Sequence, residues 1–313
     1  MVRVESRYRN YPGGNVSRRA DVVDSPRMAQ KVLARGKKKP AAVSQVGGLI
    51  RQWRERRRLS QLTLALDAEI SSRHLSFLET GRANPSRDMV LLLARVLEVP
   101  PRGRNELLLA AGYAPVYHER ALDAPEMAQV RRALEFTLRQ QEPYPALVVD
   151  GRWNILMSNE GTGRLMGLFL DPAEAAALGR PNAMRLFYHP RGMRPFIVNW
   201  RATAGALIQW LHRDMLRGHP ETARLLDELL SYPDVPREWR RLDLDAPAEP
   251  FLAVELAKDD IHMTFFSTLT SLGVPYDITL DELRVECFFP ADEGSEALMR
   301  SLARKARGES SVG

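Results

Sequence analysis

The chain has 313 residues, 44% of them hydrophobic, which is enough apolar material for one or two cores. One cysteine, Cys287, leaves no basis for an intramolecular disulfide framework, and it sits in the apolar run Val285–Phe289, where a strand thiol fits better than a nucleophile. No stretch approaches the ~18 uninterrupted apolar residues of a membrane span, and the N-terminus lacks the apolar core of a secretion signal, so a soluble cytoplasmic protein with no membrane partner is expected.

The net charge is +6, but residues 1–100 hold 20 Lys+Arg against 9 Asp+Glu while residues 101–313 hold 25 against 30. Basic charge confined to one part is expected if that part meets phosphates. Residues 1–42 are polar and basic, broken by Pro12-Gly13-Gly14 and Gly36-Lys37-Lys38-Lys39-Pro40, and read as a flexible tail in which Met28 offers an alternative start. The Lys37–Lys39 run is open to two readings, a solvated linker or a source of non-specific phosphate contacts.

Folded structure should begin near Val43. Val46, Leu49, Ile50 and Trp53 recur at helical spacing, with Arg51, Arg54, Arg56 and Arg58 expected on the other face. Residues 59–81 read as two short helices joined by a tight turn. The first starts at Gln61 with Leu62, Ala65 and Leu66 expected inside; the second is capped by Ser71 and ends at Gly81. Leu75 and Leu78 face inward, which leaves Ser72, Arg73, His74 and Ser76 outward on the first two turns, where a recognition helix meets base edges. Arg73 can pair two-pronged with guanine, Arg82 and Arg87 suit phosphates, and Phe77 is open to two roles, a thymine-methyl contact or core filling. Ser86 should cap a fourth helix with Met89, Leu92, Leu93, Val96 and Leu97 inside, stopped by Pro100-Pro101, and a fifth helix, Arg104–Ala111, closes at Gly112.

Residues 114–125 read as a linker, followed by an amphipathic helix with Met127, Val130, Leu134 and Leu138 on one face. Tyr144–Val149 and Trp153–Met157 flank the turn signal Asp150-Gly151 as a strand pair. Helices follow over Pro195–Arg217 and Glu221–Ser231, then strands over 251–257, 261–270 and 283–289, with a turn at Gly273–Tyr276 and a terminal helix from Ser295. The order predicts an antiparallel sheet with helices on one face. The division is thus a tail (1–42), an all-α five-helix DNA-binding domain (43–113), a linker (114–125) and a second domain (126–313), α+β overall.

Gly161-Thr162-Gly163-Arg164-Leu165-Met166-Gly167 fails as a dinucleotide fingerprint because its third glycine comes one place late. His212-Arg213-Asp214 lacks the other parts of a kinase site, and the six histidines show no zinc-binding pair. Neither a catalytic residue nor a metal or cofactor is expected.

Leu59-Ser60-Gln61, Ser71, Leu75, Leu78-Glu79 and Gly81 make residues 43–112 resemble the helix-turn-helix domain of the Xre family of phage-repressor-like regulators. The departure is Glu69 in the turn, where the family has glycine, so a non-glycine residue must take a positive φ. Gln61 matches the family position that clamps a phosphate. Residues 144–302 resemble the MmyB-like ligand-binding domain through Pro145–Asp150, Trp153, Asn159, Asn182, Phe187, Pro190, Trp200, Arg213, Trp239 and the tail Asp281–Glu293. The resemblance implies a PAS-like sensor domain, a fatty-acid-like ligand and a homodimer on double-stranded DNA with a near-palindromic operator. Trp153, Met157, Phe169, Phe187, Trp200, Trp210, Met215 and Phe265 are the candidate lining of an apolar cavity, with Arg185, Arg194 or Arg213 as the partner of a carboxylate. The alternatives for the second domain are a dimerisation module or an enzyme with an unrecognised site.

Overall fold

The computed structural model describes residues 41–217, 221–243, 252–272 and 277–308. The basic tail through residue 40, with Met28 and the Lys37–Lys39 run, and the turn at Gly273–Tyr276 lie outside the described residues.

Five helices come first: α1 (Ala41–Arg56), α2 (Gln61–Asp67), α3 (Ser72–Glu79), α4 (Arg87–Val96) and α5 (Pro101–Ala110). Three serines set their starts. Ser60, Ser71 and Ser86 each accept a hydrogen bond from the backbone N–H three residues on, at 3.0, 3.1 and 3.2 Å, which stabilises each helix by about 1 kcal/mol. In the turn between α2 and α3, Glu69 takes φ 53°, the left-handed conformation expected of it. Val46, Ile50, Trp53, Leu64, Leu75, Leu78, Leu93, Leu97, Leu107 and Leu108 are buried in one core. At Gly47, α1 crosses the end of α3 so closely that a Cβ would lie 2.4 Å from the Leu78 carbonyl oxygen.

Four face assignments differ from expectation. Leu62 and Leu66 are 61% and 68% exposed, because α2 buries Leu64, Ala65 and Ala68, which share one side of the helix while Leu62 and Leu66, four apart, share the opposite one. Arg54, expected among the exposed arginines of α1, is buried, since it stands four residues after Ile50 and so shares its inward face. In α4 the buried residues are Val90, Leu93 and Ala94, with Met89, Leu91 and Val96 packed around them and Leu92 half-buried outside this core.

Residues 114–124 have no regular structure but are held in place. Asn105 Oδ1 accepts from the N–H groups of Val116 and Tyr117, and Arg120 pairs with Asp277 at 2.7 Å. Beyond them come α6 (Ala128–Gln140), β1 (Ala146–Val149), β2 (Ile155–Ser158), α7 (Glu160–Phe169), α8 (Pro172–Ala177), α9 (Ala183–Tyr188), α10 (Trp200–Arg217) and α11 (Glu221–Leu229). β3 (Ala253–Lys258), β4 (Ile261–Ser271), α12 (Ile278–Glu282), β5 (Arg284–Pro290) and α13 (Glu293–Ala306) complete the fold.

The strands form one antiparallel sheet in the order β2-β1-β5-β4-β3. Successive side chains take opposite faces. Ala146, Val148 and Val285 meet Leu134 and Leu138 of α6 on one side. On the other side Leu147, Val149 and Phe265 meet residues of α7, α9, α10 and α13. Helices therefore cover both faces rather than the single face expected, because β1 is apolar on each side, buried throughout, and both sides must be covered.

Candidate DNA interface and ligand cavity

The N-terminal end of α3 is the polar edge of the helical cluster. Ser71, Ser72 and Arg73 are exposed, with His74 and Ser76 half-buried beside them. Phe77 is half-buried and lies between two cations, the Arg73 guanidinium 5.4 Å and that of Arg82 5.9 Å from its ring centre. Its ring thus serves as a common platform that gathers two arginines on one surface. Arg82 and Arg87 are exposed, Arg87 at the first position of α4.

Behind this edge lies a network that the sequence did not disclose. Arg54 donates from Nε to Glu79 Oε1 at 2.7 Å and from Nη2 to Oε2 at 3.0 Å, and from Nη1 to the Leu59 carbonyl at 2.9 Å. Its hydrogen bond to Glu79 raises its pKa further above the usual arginine value. Gln61 Nε2 donates to the same Glu79 oxygen, Oε2, at 2.7 Å. A side-chain amide carries two donors, so Gln61 keeps a second N–H while Glu79 fixes its orientation. The spacing Ile50–Arg54 was the available signal for a buried arginine.

In the sheet half, a cavity of about 150 Å³ lies between the strands and α7, α9 and α10. Its walls are Leu147, Ile155, Leu165, Met166, Ala183, Met184, Leu186, Met193, Leu207, Leu256 and other apolar side chains. Of the expected lining residues, Trp153, Phe187 and Phe265 are there. Trp153 is buried with φ 64°, and its indole N–H has no hydrogen-bond partner.

The remaining candidates stand elsewhere, for identifiable reasons. Met157 points to the α6 side of the sheet because a register shift sets it opposite Val148, while Ile155, two residues earlier, stands opposite Val149. Phe169 is core, tilted against Phe196, and Trp200 packs on Phe187 and Tyr188. Trp210 meets Trp153 edge-on at 5.4 Å from outside the lining. Arg213 and Met215 are half-buried on α10 and away from the cavity. Arg185 is held by Glu228 at 2.6 and 2.9 Å, and Arg194 lies over Trp200 at 4.8 Å, bonded to the Pro233 carbonyl. Among the described residues no arginine reaches this lining, so the expected carboxylate partner is absent from their contribution to it.

The polar side chains of the lining are Thr162, Ser267 and Glu286. Thr162 is already bonded to the Ala146 carbonyl at 2.8 Å. Glu286 accepts a hydrogen bond from Ser267 Oγ at 2.8 Å, and burial pushes its carboxyl up to about 7. Neither residue was singled out from the sequence, although Arg284 and Glu286 alternate with Val285 and Cys287, a period-2 pattern that assigns Glu286 to the face opposite α6. Among the described residues no group of three or more His, Cys, Asp or Glu could hold a metal ion, and no helix is long and apolar enough to cross a membrane.

Residues 130–302, more than half of the chain, match the family model of the MmyB-like transcription regulator ligand binding domain, and residues 50–103 match a helix-turn-helix model. No curated protein matches the chain.

Proposed function

Since the chain belongs to the MmyB-like transcription regulators and joins a DNA-binding helix-turn-helix to a ligand-binding domain, we propose that an apolar ligand in the sheet cavity controls its hold on an operator. The observation that carries this reading is an apolar cavity whose wall strand, β5, follows directly on α12, which is tied to α5 by Arg102 and Glu282. The strand order β2-β1-β5-β4-β3, with the cavity between sheet and helices, supports a PAS-like sensor. On the DNA side Arg73, with Ser72, His74 and Ser76, reads bases, and Arg82, Arg87 and the spare N–H of Gln61 take phosphates. One recognition helix covers only a few base pairs, so the protein acts as a homodimer on near-palindromic half-sites about 34 Å apart.

A fatty-acid-like amphiphile is the ligand class we assign, and cavity size qualifies it. A volume of about 150 Å³ equals that of an engineered cavity that takes benzene, so a chain of roughly six to eight carbons occupies it as it stands. Longer chains require Met166, Met184 and Met193, unbranched and adaptable, to swing aside.

Calorimetry with a series of straight-chain acids on the full chain, alongside operator footprinting and sedimentation, tests the reading. Affinity should gain about 0.8 kcal/mol per CH₂ until the cavity is full, and operator affinity should shift on saturation. Affinity independent of chain length, or ligand without effect on the operator, overturns the sensor; a monomer protecting one asymmetric half-site overturns the dimer.

A further inference from the structure

The cavity is apolar except at one end. Ser267 is exposed whereas Leu147, Trp153, Leu165 and Phe265 are buried, so the Glu286–Ser267 pair marks the side from which the cavity meets solvent. An amphiphile entering tail first leaves its polar head there. What the head meets is an acid, with no cation among the described residues of the lining to offset it. Arg284, two residues away on the same face of β5, is engaged by Asp214 at 3.3 Å and lies over Trp210 at 5.8 Å. The helices packed over the cavity, α7, α9 and α10, and the strands β1, β3 and β4 bring no second titratable side chain to the lining.

We propose that Glu286, oriented by Ser267, is the head-group reader of this cavity, and that as a carboxylate it selects an amphiphile whose head donates a hydrogen bond, a hydroxyl or a protonated carboxylic acid, over a carboxylate anion or an ester. The inference rests on the cavity being the ligand site. An ester presents only acceptors to a carboxylate and leaves it unpaired in an apolar surrounding, which is the costly arrangement. A hydroxyl donates directly. A carboxylic acid binds by sharing one proton between its own carboxyl and Glu286, and Trp153 of the same lining carries a buried indole N–H without a hydrogen-bond partner.

The shared proton has a sign. Below pH ~7 Glu286 already carries it, so an acid anion associates without exchange with the solvent. Above that pH each complex takes up one proton, and affinity for an acid falls about tenfold per pH unit. Affinity for an alcohol needs no proton.

The test is calorimetry on the full chain with octanol, octanoic acid and methyl octanoate from pH 6 to about pH 9. At about pH 9, where Glu286 is a carboxylate, octanol should bind at least tenfold more tightly than methyl octanoate, octanoic acid should weaken about tenfold per unit only above pH ~7, and Glu286→Gln should make the octanoic acid profile flat. Equal affinity for octanol and methyl octanoate at about pH 9, or an unchanged acid profile in Glu286→Gln, overturns the head-group assignment while leaving the cavity as the ligand site. Failure of all three probes overturns the cavity reading and this inference with it. The comparison of the three probes on the unaltered chain does not depend on any variant folding.

Discussion

Arg102 and Glu282, 180 residues apart, form a two-point ion pair, Nε to Oε1 at 2.7 Å and Nη2 to Oε2 at 3.0 Å. The same guanidinium also takes Glu119 at 2.6 Å. The pair joins α5, packed in the core of the helix-turn-helix, to the last residue of α12, and two residues later β5 begins its run to Glu286. Arg102→Ala should lower stability by about 1–3 kcal/mol, discounted from a fully buried pair because Arg102 and Glu282 keep some contact with water. It should also weaken the effect of ligand on operator affinity while each binding reaction alone persists. Denaturant unfolding and operator titrations with and without octanoic acid check both; undiminished coupling in Arg102→Ala sinks the junction as the route.

Stability against pH should carry two opposed signatures. Glu228 is held below the usual carboxylate range by the Arg185 hydrogen bonds, so its contribution is present above the unfolded-chain value and disappears as pH falls through the native one. Glu286 acts in the reverse sense. Its native value of about 7 exceeds the ordinary carboxyl value of 4.5, so the native state binds more protons between those pH values and loses stability as pH rises through them, by at most about 1.4 kcal/mol per unit. Glu286→Gln should therefore match the parent chain near pH 4 and exceed it at about pH 8. Urea titrations at the two pH values decide it, and equal gain at both would remove Glu286 as the cause.

Glu79 is the hub of the buried network behind the recognition helix, its side chain 2% exposed and that of Arg54 10%. Removing one partner leaves a buried charge uncompensated. Glu79→Ala should cost about 3–5 kcal/mol, whereas the double replacement Arg54→Met, Glu79→Leu should recover most of it. Thermal unfolding of the single and double variants is the measurement, and a single variant that melts with the parent would contradict it.

Arg73 and Arg82 share the Phe77 ring but should differ in readout. Arg73→Ala should cost about 1–3 kcal/mol on the preferred operator and relax one base position, while Arg82→Ala should weaken every sequence alike and reduce the salt slope. Binding across an operator library and across salt separates them. An unchanged sequence preference in Arg73→Ala would show that α3 does not enter the groove as placed.

The parts of the fold legible in the sequence were those fixed by neighbours along the chain. Ser71 and Ser86 cap their helices because a hydroxyl three residues before an unpaired N–H suffices, and Glu69 takes positive φ because the turn allows little else. Parts set by tertiary choice were not legible. α2 offers two apolar stripes, and only packing against α3 selects Leu64 and Ala65 over Leu62 and Leu66. Arginines say nothing about which carboxylate will claim them, so Arg185 went to Glu228 rather than to a ligand, and Arg54 to Glu79 rather than to the exposed face. The cavity joins residues from β1 to β5 that no local pattern links, and its acid was masked by an apolar run that reads simply as a strand.

Gly47 and Gly48 stand side by side on α1, yet their scope for change is opposite. The carbonyl of Leu78 leaves no room for a methyl group at 47, whereas a Cβ at 48 meets nothing within 4 Å. Replacing Gly48 by alanine should add about 0.5–1 kcal/mol through helix propensity, and the same replacement one residue earlier must force α1 away from the recognition helix. A stabilised variant and a broken one thus lie at adjacent codons, and an engineering library across α1 should enrich the first substitution while purging the second.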